Sequence, residues 1–212
     1  MPPQTFFERA RARLSLDTPP ALHDPAVVPD KGDHELNLEM KALWAVRPIR
    51  PAAVLVPIVD RAEPTVLLTQ RAAHLPQHPG QISFPGGKIE PTDATPLAAA
   101  LREAEEEVGI DTRFVDPIGY LDLYMTTQGY RIVPSVARIA PDYRLTLNPS
   151  EVDEAFEVPL QFLMQLDNHQ KRSRDWEGIK RYYFEIPFEH RKIWGVTAGI
   201  LRNLYEKIYA GA

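Results

Sequence analysis

Four glutamates crowd the final turns of one predicted helix, in the stretch REAEEEVG: Glu103, Glu105, Glu106 and Glu107. Glu103 precedes Glu106 and Glu107 by three and four residues, so these three carboxylates lie on one helix face. Like charges at that spacing cost a few tenths of a kcal/mol per pair, and the carbonyl end of the helix adds about 0.3–1 kcal/mol. Local stability therefore does not explain the cluster. Carboxylate oxygens on one face suit a hard cation such as Mg²⁺ or Mn²⁺. The alternative is a solvated acidic face that includes an Arg102–Glu106 ion pair.

Clear signals bound this helix in the sequence. Thr95 is a favourable N-cap, and Pro96 takes the first helical position, where its missing N–H costs nothing. Gly109 supplies the left-handed stop. The apolar positions predict one buried stripe, made of Leu97, Leu101, Ala104 and Val108.

Composition restricts the class of protein. The 212 residues are enough for one domain with a sizeable core, and the absence of cysteine excludes disulfides and thiolate chemistry. The net charge of −5 does not favour non-specific attraction to nucleic acid or to an anionic membrane, although it leaves room for a local basic pocket. No apolar run approaches the ~20 residues of a membrane span, and the N-terminal residues lack a secretory pattern. We therefore expect a cytoplasmic protein without a nucleic-acid or membrane partner.

The elements around the acidic helix predict a mixed α/β sandwich. Residues 1–48 are expected to form a short helix over Phe6–Leu14, followed by a proline-rich, extended arm that does not pack, and residues 49–212 are expected to form the main domain. The runs AAVLVPIV and TVLLTQR predict a hairpin, and EVDEAFEVPLQFLMQL a strand entering a short helix. An amphipathic helix is expected to close the chain from Ile193 to Tyr209. Further strands are predicted in QISF, FVDPIGYLDLYM, YRIVPSVARIA and KRYYFEIPF.

The acidic helix is part of a longer pattern. REAEEEVGI resembles the second half of the box of Nudix hydrolases, Arg-Glu-aliphatic-x-Glu-Glu-x-Gly-aliphatic, with Ala104 as the small apolar position. The first half of the box, Gly, five residues and Glu, begins here at Gly87 and has Asp93 in place of the Glu. Eight residues rather than the family's seven then separate Asp93 from Arg102. The resemblance implies an α/β/α sandwich with a mixed central sheet.

A second motif lies just upstream of the box. LLTQRAAHLPQHPGQISFPGG, from Leu67 to Gly87, resembles the extra motif of the coenzyme A pyrophosphatases within the Nudix superfamily. One fixed position departs, because Pro76 stands where that subfamily has Arg, a residue whose planar fork binds phosphate bidentately. The remaining cations near the motif are candidates to compensate: Arg71, His74, His78 and Lys88.

The resemblance implies roles for individual residues. Glu103, Glu106 and Glu107 are the expected metal ligands, with the backbone carbonyl of Gly87 completing the set. Arg102 is expected to hold and orient these carboxylates, and an ordinary surface ion pair is its alternative. The residues expected to contact substrate are Arg71, His78, Gly86 and Lys88.

The general base is left open among several carboxylates. Glu106 or Glu103 on the helix is one choice, and Glu106 is included among the expected catalytic residues together with Arg102. A carboxylate from the later loop NPSEVDEAFEVPL is the other, with Glu151 as its candidate; a solvent-exposed loop acid is the competing interpretation of Glu151.

These roles imply a pyrophosphatase that needs Mg²⁺ or Mn²⁺ and takes a nucleotide-type small molecule. With coenzyme A or its derivatives the products are 3',5'-ADP and 4'-phosphopantetheine. Pro76 keeps open the same chemistry on ADP-ribose, a dinucleotide or a nucleoside triphosphate. A Nudix-fold binding module without turnover is a third hypothesis, which the unfavourable acidic cluster opposes. The C-terminal apolar stripe leaves a homodimer open.

Overall fold

The computed structural model describes residues 5–38, 48–176 and 178–210. Its helices are α1 Phe6–Arg13, α2 Pro96–Val108, α3 Leu160–Leu163 and α4 Val196–Tyr209. Its strands are β1 Lys31–Gly32, β2 Arg50–Val59, β3 Thr65–Arg71, β4 Ile82–Ser83, β5 Gly86–Lys88, β6 Val115–Tyr120, β7 Tyr124–Met125, β8 Tyr130–Ile139, β9 Val152–Pro159, β10 Gln170–Trp176, β11 Ile179–Phe188 and β12 Arg191–Trp194. None of the helices in these ranges is both long and apolar enough to cross a membrane.

A mixed sheet forms the centre of the fold. In the described ranges nine strands join it, in the hydrogen-bonded order β1-β7-β8-β2-β3-β4, with β5 beside β2, β6 beside β8 and β9 beside β3. Strands β2 and β8 run parallel over their whole length, and β2 and β3 form the predicted antiparallel hairpin. Because β2 and β8 are covered on both faces, most of their successive residues are buried, and they lack the alternation of a half-exposed strand.

Helices cover the two faces of this sheet. On one face α1 and α4 pack into the larger apolar cluster, which includes Phe6 and Leu204. On the other face α2 packs into a second cluster through Ala100 and Val108, against Leu55 of β2. These layers confirm the predicted α/β/α sandwich with a mixed central sheet.

The proline-rich arm packs against the domain, so the expectation of an unpacked arm is wrong for its described part. Leu22 is buried beside Tyr120, and β1 pairs with β7 at the sheet edge. The guanidinium of Arg131 donates to the carbonyls of Ala21, Asp24 and Val27. An arm without regular structure leaves carbonyls unpaired, and one buried arginine satisfies three of them. Residues 39–47 of the arm lie outside the described ranges, and the division at residue 48 stays a prediction.

The C-terminal helix begins later than predicted. Ile193 lies in β12, and α4 starts at Val196, after Gly195 with its positive φ of 63°. A glycine in this left-handed region interrupts the apolar pattern, so one hydrophobic stripe is shared between a strand and a helix. Strands β10 and β12 are not predicted from the sequence, and they form a three-stranded antiparallel sheet with β11.

Candidate active site

The acidic helix is α2, and its ends are those the sequence predicts. The Thr95 hydroxyl accepts a hydrogen bond of 3.1 Å from the Ala98 N–H, and Gly109 ends the helix at φ 68°. The packed face consists mainly of alanines, since Ala100 and Ala104 are fully buried, whereas Leu97 and Leu101 are only partly buried. Small side chains let the helix approach the sheet closely, which brings its glutamates to the strands.

Glu107 lies on the buried face of α2. It is only 4% exposed, and its Oε2 accepts a hydrogen bond of 3.3 Å from the Gly86 N–H. Burial raises the pKa of Glu107 to about 8, against the favourable effects of that hydrogen bond and of the Arg71 charge. A solvated acidic face therefore does not describe Glu107. A cation at this position would relieve the desolvation of its carboxylate.

Two glycines let the β5 turn approach the acidic helix. Gly86 has φ 152°, and a Cβ there would lie 2.4 Å from the carbonyl oxygen of Ala53. A Cβ on Gly87 would lie 2.4 Å from the carboxyl carbon of Glu103. A side chain at Gly86 would displace the backbone of β2, so this position requires glycine, whereas a side chain at Gly87 would displace only the carboxylate of Glu103. The backbone at Gly87 consequently borders the carboxylate of Glu103.

Arg102 joins the acidic cluster to the preceding loop. Its guanidinium donates to Glu103 at 2.9 Å and to Glu106 at 3.3 Å, and a further donor reaches the Lys88 carbonyl at 3.1 Å. Two more hydrogen bonds, of 3.1 and 3.2 Å, go to the two carboxylate oxygens of Asp93. These contacts place Arg102 where an orienting residue would be. Its side chain is 26% exposed, and that of Asp93 only 6%.

Asp93 contacts Arg102 from the preceding loop, and the sequence does not predict this contact. Its two-pronged contact fixes the guanidinium from the side opposite Glu103 and Glu106, and the hydrogen bonding from Arg102 lowers the pKa of Asp93. The signal was present in the box, where Asp93 occupies the position of the family's first Glu. The one-residue insertion obscured it, because a contact across a loop tolerates a change of loop length that a contact along a helix would not.

Glu151 and Arg71 both lie within electrostatic reach of the buried carboxylate. The charge of Glu151 raises the pKa of Glu107 and that of Glu103, whereas the charge of Arg71 lowers that of Glu107. The backbone of Glu151 is fixed by the Ala72 N–H, and its side chain accepts a hydrogen bond of 3.2 Å from Asn148. The fold thus brings a later loop to the helical glutamates.

The other expected substrate-binding residues are less closely assembled. His78 is exposed in the β3–β4 loop, with φ 55°, and its Nδ1 is hydrogen-bonded to Gln81 at 3.0 Å. Lys88 is exposed at the end of β5. Pro76 is exposed in the same loop as His78. Glu106 is the outermost carboxylate of the cluster, with a side chain 55% exposed.

Oxygen donors suited to a divalent cation are present, although they are engaged with protein groups. Glu103 and Glu106 contact Arg102, and Glu107 contacts the Gly86 N–H. In residues 5–38, 48–176 and 178–210 no three His, Asp or Glu side chains are arranged as a ready-made metal cage. The chemistry of the donors and the close approach at Gly87 nevertheless fit a hard cation.

Comparisons with known proteins identify the family. The NUDIX domain family matches residues 49–179. "Uncharacterized Nudix hydrolase NudL" of Enterobacter sp. (strain 638) is 41% identical over 155 residues, which cover 73% of this chain and 81% of that protein. The protein of the same name from Escherichia coli (strain K12) is 43% identical over 155 residues, with the same coverage. A solved NUDIX hydrolase from Alicyclobacillus acidocaldarius is 22% identical, with a TM-score of 0.44, over 56% of this chain and 82% of that chain. The chain therefore belongs to the Nudix family and is a hydrolase that acts on pyrophosphate bonds.

Proposed function

We propose that the protein is a metal-dependent pyrophosphatase that hydrolyses the diphosphate of coenzyme A or its derivatives. Water adds to one phosphorus, the bridging P–O bond breaks, and the products are 3',5'-ADP and 4'-phosphopantetheine, or its acyl form. The observation that carries the proposal is the buried Glu107 carboxyl between the Gly86 amide, Arg71, Glu103 and Glu151. A buried carboxyl whose pKa stays raised despite the Gly86 hydrogen bond and the Arg71 charge is unfavourable for folding alone, which supports a functional reason for its position.

The metal ligands in this proposal are Glu103, Glu106 and Glu107, with the carbonyl of Gly87. When bound, Mg²⁺ or Mn²⁺ supplies positive charge that offsets the negative diphosphate and acidifies the attacking water. Glu107 contributes a desolvated carboxylate, which attracts a cation more strongly than an exposed carboxylate does. Gly87 contributes a backbone beside the Glu103 carboxylate, in the space that a side chain at this position would take from that carboxylate.

Arg102 and Glu151 complete the catalytic group in this proposal. Arg102 holds Glu103 and Glu106 in place through hydrogen bonds that Asp93 anchors from the other side. Glu151 takes the proton of the attacking water as general base, and Asn148 orients its carboxylate. Glu106, the more exposed helical carboxylate, is the alternative base.

The coenzyme A motif supports the substrate. Its residues run through β3, the β3–β4 loop and β4 into the Gly86–Gly87 turn, so the motif leads directly to the acidic cluster. Arg71 lies on this path, within electrostatic reach of Glu107. We assign Arg71 to the substrate phosphates, with His78, Lys88 and the backbone of Gly86 as further contacts.

Pro76 favours a second candidate substrate class. A coenzyme A pyrophosphatase carries Arg at this motif position, and Pro supplies no charge for a phosphate. Another nucleoside diphosphate derivative, such as ADP-ribose or a dinucleotide, would need fewer cations than coenzyme A with its additional 3'-phosphate.

Product analysis tests the proposal. The protein is incubated with coenzyme A, ADP-ribose or a dinucleotide, each with Mg²⁺, Mn²⁺ or EDTA, and the products are separated by chromatography. We expect 3',5'-ADP from coenzyme A only with metal. Glu107→Gln should lose this activity, whereas Glu105→Gln, an exposed change on the same helix, should keep it.

Each other outcome has a defined meaning. Turnover of ADP-ribose or a dinucleotide without turnover of coenzyme A would refute the substrate assignment and leave the pyrophosphatase reaction supported. Equal hydrolysis by Glu107→Gln and by the wild type would refute the assignment of Glu107 to the active site. Hydrolysis that persists in EDTA would refute the requirement for a divalent metal.

A further inference from the structure

The sheet of β10, β11 and β12 packs one face against the core at its β11–β12 end, whereas β10 is exposed on both faces over most of its length. Ile186 and Ile193 are opposite each other and fully buried, so the side chains in phase with them point inward. Because successive strand residues alternate between faces, the side chains out of phase with them point outward. The outward-facing residues are Gln170, Arg172, Arg174, Trp176, Ile179, Arg181, Tyr183, Glu185, Pro187, Lys192 and Trp194. We call this set the outer face.

The outer face is basic in an otherwise acidic chain. It carries three arginines and one lysine against a single acid, Glu185, while the whole chain has a net charge of −5. Glu185 is 3.6 Å from the guanidinium of Arg172. Within the described residues, Arg174, Arg181 and Lys192 form no ion pair. No acidic side chain of the described residues therefore neutralises these three cations.

The arrangement of two arginines is unfavourable for the sheet alone. Arg174 and Arg181 are directly opposite each other in the β10–β11 ladder, a placement in which like charges repel. Both guanidinium groups lie over the ring of Trp176, at 6.0 and 5.7 Å from its centroid. Buried Nε of Arg181 has no hydrogen-bond partner among the described residues. An anion between the two guanidinium groups would remove this repulsion.

Aromatic rings lie among these cations. Trp176 is 51% exposed, and at the other end of the face Tyr183 packs edge-on against Trp194, with ring centroids 5.4 Å apart. Trp176 and the Arg172–Tyr183 pair are four residues apart, or about 13 Å along the strand. An exposed tryptophan and two partly buried aromatic rings among arginines suit unpaired bases, which stack, and the phosphates that link them.

We propose that the outer face binds single-stranded nucleic acid. Two other occupants fit less well. Pairing β10 with a second copy of itself would bring Lys171, Arg172 and Arg174 against like charges. An anionic lipid surface would meet Asp175 beside the exposed Trp176 at the hairpin tip. A single strand needs neither contact, because it lies across the face and not at its edge or tip.

Fluorescence anisotropy with a labelled single-stranded 20-mer of thymidines tests the proposal. Contacts with three phosphates predict a slope of log K against log salt of about −2, so binding should weaken about twentyfold between 50 and 200 mM salt. Arg174→Gln with Arg181→Gln should weaken binding at least tenfold and flatten the slope by about 1.4. Arg174→Lys with Arg181→Lys keeps both charges, so the slope of log K against log salt should equal that of the wild type. Trp176→Ala should weaken binding at least fivefold.

The matched control removes the same charge elsewhere. Arg11 and Arg113 are exposed arginines of α1 and the turn before β6, so Arg11→Gln with Arg113→Gln should bind within twofold of the wild type. Circular dichroism checks that each variant is folded. The proposal is overturned if the 20-mer does not bind or if the control weakens binding as much as the outer-face variant. Binding of heparin or anionic vesicles as tight as that of the 20-mer, together with no effect of Trp176→Ala, would also overturn the proposal. So would a mononucleotide that competes as well as an unlabelled 20-mer.

Discussion

Glu107→Gln removes the charge of the most buried carboxylate in the acidic cluster and keeps its size. Glutamine retains an oxygen that can accept the Gly86 N–H, so the β5 turn keeps its partner. We expect the variant to be more stable than the wild type without metal, and to be nearly inactive. A residue that serves only the fold would not show this combination.

The gain in stability follows from burial. The pKa of Glu107 is raised from 4.5 to about 8, so ionisation disfavours the folded state. The contribution of Glu107 to stability is highest below the unfolded pKa and falls as pH rises toward the folded pKa. At pH 7.5 the difference amounts to about 4 kcal/mol at most, at 1.36 kcal/mol per unit. We expect glutamine to recover about 2–4 kcal/mol of this at pH 7.5 and little near pH 4.5.

Urea unfolding in EDTA at pH 5 and pH 7.5 measures the effect, and turnover with Mg²⁺ measures the loss of activity. Glu105→Gln is the matched control, because Glu105 is exposed on the same helix and its change removes the same charge. We expect the control to shift stability by less than about 0.5 kcal/mol and to keep normal turnover. For Glu107→Gln we expect kcat to fall about a hundredfold or more, equivalent to about 2.7 kcal/mol.

Two results would refute this reasoning. A Glu107→Gln variant that is less stable than the wild type at both pH values would mean that the carboxylate is satisfied in the fold. A variant with near-normal kcat would mean that Glu107 does not serve the reaction.

Three further changes test other parts of the molecule. Asp93→Asn weakens the two-pronged contact with Arg102, so the free energy of unfolding measured in urea should fall by about 1.5–3 kcal/mol. The value of kcat should fall while KM stays within twofold, and an unchanged kcat would refute a positioning role for Asp93. Glu157 of β9 accepts hydrogen bonds of 2.8 and 2.6 Å from the Arg61 guanidinium. Glu157→Gln should destabilise the protein by about 1–2 kcal/mol at pH 7, a figure discounted for the exposure of Arg61. The hydrogen bonding from Arg61 lowers the pKa of Glu157 to about 2, so this cost should shrink as pH falls from 4.5 through 2, and a constant cost would contradict it. Pro76→Arg should lower KM for coenzyme A more than for ADP-ribose, and no change would mean that other cations already bind the 3'-phosphate.

The acidic helix could be predicted because its signals are local. Thr95, Pro96 and Gly109 fix its ends through backbone requirements that hold in any fold. The burial of Glu107 could not be predicted in this way. It depends on the small side chains of Ala100 and Ala104 and on how closely they let the helix approach the sheet.

Three features could not be predicted because they depend on tertiary structure: strand β10, the packing of the arm and the start of α4. Strand β10 is exposed on both faces over most of its length, so its sequence QKRSRDW lacks the alternation that marks a half-buried strand. The arm packs because Arg131, more than 100 residues away in sequence, binds its carbonyls. The helix expected from Ile193 begins only after Gly195, where the positive φ separates β12 from α4.

Binding of Mn²⁺ by calorimetry tests most directly whether the acidic cluster exists to hold a metal. The wild type, Glu107→Gln and Glu105→Gln are titrated under identical conditions in the absence of substrate. We predict that the wild type and Glu105→Gln bind the cation with affinities within threefold of each other, and that Glu107→Gln binds it at least tenfold more weakly. Equal binding by all three proteins would contradict the central claim that Glu107 is a metal ligand.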